Sequence, residues 1–98
     1  MLDCIKKIAM DITEELMDAQ KYIDDASKVK EDYPSLAELY RDLSAEELSH
    51  AERLHEMGNK MVSDCDDDVA RAIWDWETER MARWEQSIRV LHEIFKNN

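Results

Sequence analysis

Residues 36–61 read LAELYRDLSAEELSHAERLHEMGNKM, with no proline and no glycine before Gly58. Steps of four and then three from Leu36 reach Tyr40, Leu43, Glu47, His50, Leu54, Met57 and Met61. Six of those eight positions are apolar. Such a row is the stripe of an amphipathic helix. The two exceptions, Glu47 and His50, are neighbours in the middle of the row, and their i, i+3 spacing puts both on one face about one turn apart. A carboxylate in a buried row has to be paired, protonated or bound to a metal, since an isolated charge is strongly disfavoured there.

Punctuation on either side sets the rest of the architecture. Pro34 divides this segment from an earlier periodic one, because the residue before a proline is pushed out of the helical region. Ser35-Leu36-Ala37-Glu38 then reads as a capping box. Gly58-Asn59 marks a helix end, and Ser63 to Asp68 holds caps and negative charge for the next start. The chain therefore reads as three helices over about 3–32, 36–61 and 67–96. Together they make one all-α domain, residues 1–98. The first helix carries Ile5, Ile8, Ile12, Leu16, Ala19, Ile23 and Ala26 on its stripe, with Glu15 at the flank. The third carries Ala70, Ile73, Glu77, Met81, Trp84, Ile88, Leu91 and Phe95.

Composition excludes several functions. Thirteen Lys and Arg against 24 Asp and Glu leave a net charge of −11. Nucleic-acid backbones need clustered cations, so nucleic acid is not an expected partner. An anionic membrane surface is disfavoured too, and no apolar run is long enough to span a bilayer. One glycine and one proline leave little for the tight turns of hairpin-rich β folds. The charged N-terminus is no signal peptide, so a cytoplasmic location is expected. Cys4 and Cys65 form no zinc or Cys-x-x-Cys pattern and read as two reduced thiols.

Antiparallel pairing of the first two helices makes Glu15, Glu47 and His50 level to within about one turn. Glu77, on the third helix, falls at the depth of His50. It either accepts a hydrogen bond from that imidazole or pairs with Arg71 or Arg80. A Glu-x-x-His helix beside a helix bearing a glutamate is half of a carboxylate-bridged dimetal site. Carboxylates neutralise and bridge two divalent ions, and a neutral imidazole completes the donor set. One chain holds too few ligands for two metals, so the half-site calls for a second copy across a two-fold axis.

Glu15 with Tyr22 seven residues later, Tyr40 with Glu47 seven later, and then His50, resemble the half-site of the ferritin-like superfamily. The stretch from Glu15 to Leu54 is similar to the first hairpin of rubrerythrins and ferritins. In its length and its Glu14-Glu15-Leu16 start it is most like the short encapsulated ferritins. The resemblance implies an antiparallel helical hairpin plus a third long helix, completing a four-helix di-metal bundle by dimerisation. It implies Glu15, Glu47 and His50 as ligands of a di-iron centre and Tyr22 as a hydrogen-bonding partner behind them. The implied activity is Fe(II) oxidation by oxygen, for iron storage or detoxification, in a homodimer or larger even-numbered oligomer. Its encapsulated branch adds a shell protein as partner and the inside of a nanocompartment as location. Residues 67–96 supply no second Glu-x-x-His, which is why the centre is expected between subunits.

Plainer readings stand beside these. Glu47 and His50 can form a hydrogen-bonded pair with Arg41 or Arg89, and manganese or zinc suits the same donors. Trp84 reads as core or interface, whereas Trp76 lies off its row. Met57, Met61 and Met81 read as core filler, and His55 and His92 as surface residues. Asp64, Asp66 and Asp68 lack the glycine of a calcium loop and read as helix-capping charge. The competing function is a metal-free helical interaction module that assembles through the third helix.

Overall fold

The computed structural model describes all residues, 1–98. It is entirely helical, with α1 at Leu2–Val29, α2 at Pro34–Ser63 and α3 at Asp68–Asn97. Proline occupies the first turn of α2, where its missing N–H leaves no bond unmade. Ser35 lies inside that helix and makes no cap, and Glu38 pairs with Arg41 instead of closing the expected box. Asp67 does cap α3, accepting from the backbone N–H groups of Val69 and Ala70 at 3.0 and 3.2 Å. None of the helices is long and apolar enough to cross a membrane.

Side-chain contacts give the directions. Lys30 at the end of α1 donates to the carbonyl of Phe95 near the end of α3, and Arg80 reaches Thr13, so these helices run parallel. Ser44 meets His92 and Asn59 meets Trp74, so α2 and α3 run antiparallel. The result is an up-down-up bundle 53 Å long. Helix α1 lies at its centre and buries the row Ile5, Ile12, Leu16, Ala19, Ile23 and Ala26.

Helix α2 departs from the expected packing. Its buried residues are Ala37, Ser44, Leu48, Ala51 and Gly58, one position on from the large apolar row. Tyr40, Leu43 and Leu54 are only half-buried, and Met57 is 51% exposed. Size explains the rotation. Four of the five buried residues are small, so α1 approaches the α2 backbone closely, while α3 reaches it through side chains. A count of large apolar side chains therefore points to the rim and not to the centre of the contact.

Gly58 makes the point most sharply. It does not end the helix, which continues through it to Ser63. The Trp74 ring lies directly on its backbone, and a Cβ there would collide with ring carbons Cζ2 and Cη2. Trp74 is 1% exposed, stacks on His55 and donates its indole N–H to Asn59 at 2.8 Å. Trp84 is half-buried at the edge of the core, and Trp76 is 59% exposed.

The two flanking histidines are half-buried between α2 and α3, not on the surface. Ser44 donates to the Ala19 carbonyl at 2.7 Å, so its oxygen is left to accept from Nε2 of His92 at 2.9 Å. His55 Nε2 lies 3.0 Å from the Thr78 hydroxyl. Burial holds both imidazoles below the ordinary histidine range, and for His92 the arginines Arg41 and Arg89 add to the effect. Cys4 is exposed, Cys65 is buried, and both are free thiols. Gly58→Ala is expected to destabilise the fold by about 1–3 kcal/mol through overpacking against Trp74. Urea unfolding measures it, and a change near zero would contradict the close contact.

Candidate metal centre

Glu15, Glu47 and His50 each precede a buried residue: Leu16, Leu48 and Ala51. One residue on a helix is about 100° of rotation, so all three side chains leave the core on the same rim of the α1–α2 hairpin. Antiparallel packing then brings them to one level. His50 Nδ1 lies 3.4 Å from Oε2 of Glu15 and 3.8 Å from Oε2 of Glu47. One donor atom from each residue can be chosen so that all lie within 4.8 Å of one another. Helix α3 packs on the opposite rim of the α1–α2 hairpin, leaving the His50 side chain 49% exposed.

The electrostatics are unresolved within the chain. Oε2 of Glu15 is shut off from solvent and has no hydrogen-bond donor. Glu47 is held above the ordinary carboxylate range, chiefly because its protonated form can donate to the Glu15 carboxylate, then by burial and by repulsion from Glu15. His50 pulls in the opposite direction. No arginine neutralises the pair. Arg41 is engaged by Glu38 and Asp42, and Arg89 by Glu52 and Glu85, which removes the expected alternative of a pair satisfied by either.

The opposite face of α2 supplies an internal control that periodicity did not single out. Glu52 and His55 form a second Glu-x-x-His, facing Glu85 of α3. There the Arg89 guanidinium binds both carboxylates and Thr78 takes His55. The same residue pattern is thus closed by a cation of the chain on one face and left open on the other.

The remaining expected residues fall less close. Tyr22 stacks on Tyr40 with ring centroids 6.1 Å apart and makes no hydrogen bond to the three donors. Glu77 does not orient His50. Arg80 donates to Glu77 at 2.7 and 3.0 Å and also binds Thr13, which ties the carboxylate to the α1–α3 contact. On the far side of the site, Arg53, Leu54, Met57 and Lys60 continue the open groove from Glu15 and His50.

A family model described as rubrerythrin matches residues 6–97. The chain belongs to the rubrerythrin family. Among curated proteins and among solved structures, none matches it. Rubrerythrin-type domains are ferritin-like and bind iron, and the donors of this chain fit that metal. A cation would satisfy the orphaned Glu15 oxygen and relieve the Glu15–Glu47 repulsion, while imidazole nitrogen beside carboxylate oxygen suits a divalent transition ion.

This predicts a distinctive stability profile for the metal-free rubrerythrin domain. A carboxyl group whose pKa is raised on folding stabilises the fold fully below its ordinary value, here 4.5, and loses that contribution as pH rises through the raised value. Glu47→Gln replaces the carboxylate with a permanent amide donor. It is expected to raise the melting temperature of the metal-free protein at pH 7, with the gain vanishing below about pH 4, and to weaken stabilisation by added metal. A loss of metal-free stability at pH 7 would contradict the strained pair.

Proposed function

We propose that this protein oxidises Fe(II) with oxygen at a di-iron centre shared between two copies of the chain, for iron storage or detoxification. Within the ferritin-like superfamily it is of the short, single-hairpin type seen in encapsulated ferritins. The observation that carries this reading is the Glu15–Glu47 carboxylate pair on an open rim, with His50 beside it and no internal cation to neutralise it.

Glu15 and Glu47 would hold the metal through oxygen and His50 through Nδ1, the nitrogen that faces both carboxylates. Nδ1 must be bare to act as a donor, which assigns the ring proton to Nε2. Iron bound there supplies the electrons that reduce oxygen. The exposed carboxylates Glu14 and Asp18 on α1 add a negative field that draws cations to the rim. One chain offers two carboxylates and one imidazole, too few for two ions, and a second copy doubles the set.

A metal-free assembly module is the second reading. It is favoured by the outer face of α3, where Val69, Trp76, Val90 and Ile94 are all about half-exposed or more. The two readings separate on one experiment. Glu47→Ala and His50→Ala should each reduce Fe(II) oxidation to the uncatalysed rate while leaving the far-ultraviolet circular dichroism unchanged. Oxidation at the parental rate in both variants would remove the ferroxidase reading.

A further inference from the structure

We propose that α2 docks antiparallel against α2 of a second copy, about a two-fold axis level with the Leu48–Ser49 peptide, and that Glu46–Arg53 ion pairs select this register. The inference rests on the shared centre proposed above and specifies how the second copy reaches it. The large apolar row of α2 is the surface in question, since the fold leaves it half-open beside the metal ligands.

The row is its own complement when reversed. Antiparallel alignment about that axis sets Tyr40 opposite the partner's Met57, Leu43 opposite the partner's Leu54, and Glu47 opposite the partner's His50. Apolar residues therefore meet apolar residues at every level but one, and at that level each carboxylate meets an imidazole. A parallel alignment would instead put Glu47 level with the partner's Glu47, stacking like charges in the seam. The site is incomplete without this contact, because the partner brings the second Glu47 and His50 to the same level.

Charge at the edge agrees. Glu46 and Arg53 border the row on the side away from the core, both are exposed, and neither takes part in an ion pair within the chain. The antiparallel register places Glu46 beside the partner's Arg53, and symmetry makes the contact twice. The other arginines of α2 and its neighbour on α3, Arg41 and Arg89, are already engaged. Glu46 and Arg53 are thus free charges of opposite sign on the open edge.

Sedimentation equilibrium of the whole chain, with EDTA and with Mn(II), tests the register. Glu46→Arg and Arg53→Glu should each weaken dimerisation about tenfold, since each turns two rim attractions into repulsions. The doubly reversed variant should return to within about threefold of the parent, and the differences should shrink in high salt. Single reversals without effect, a double variant weaker than either single one, or a parent monomeric in both conditions would overturn the proposal. Loss of the register alone leaves the shared centre standing if the Mn(II)-loaded variants still hold two metals per pair of chains. A metal-loaded monomer would overturn both.

Discussion

Close approach across the small residues of α2 governs everything else in this fold. Ala37, Ser44, Ala51 and Gly58 let α1 settle near the α2 backbone, and the Trp74 ring of α3 rests on Gly58. Packing of this kind gains dispersion contacts over the whole length of the helix, even though each residue buries little apolar surface of its own. It also fixes the rotation of α2. Once the small row faces inward, the large row and its two polar members are carried to the rim, where α3 does not cover them. The position of Glu47 and His50 is therefore a consequence of the packing of the residues beside them, Leu48 and Ala51, and of the rest of the buried row.

Two Glu-x-x-His patterns on one helix show what distinguishes a satisfied cluster from a candidate centre. Around Glu52 and Glu85, a guanidinium supplies positive charge and directed donors, and the cluster is complete. Around Glu15 and Glu47 the chain supplies only His50, and one carboxylate oxygen stays buried without a partner. Buried polar atoms are almost always paired in native proteins, so an orphan of this type asks for something from outside the chain. Membership of the rubrerythrin family names iron as the cation such domains bind.

Much of this was legible in the residues. Helix number and limits followed from Pro34, from the charge-rich break near Asp67 and from unbroken periodicity, and they fall within three residues of the structure. The convergence of Glu15, Glu47 and His50 was legible because two polar residues interrupted an apolar row and a third lay level with them. The rotation of α2 was not legible, since periodicity counts large apolar side chains and the buried row is made of small ones. For the same reason Gly58 read as a stop when it is a seat for Trp74. The contacts of His55 and His92 escaped because their partners lie on other helices, at distances along the chain that a periodic pattern does not encode, whereas the Glu77–Arg80 pair, three residues apart on α3, was one of the two readings the residues offered.

The central claim is that the open carboxylate pair holds metal between two chains. Crystals grown with Fe(II) under anaerobic conditions, and measured at the iron absorption edge, test it directly. Anomalous density is expected on the rim within bonding distance of Glu15, Glu47 and Nδ1 of His50, with ligands from two chains around it. Density absent from that rim, or enclosed by the residues of one chain alone, would contradict the account.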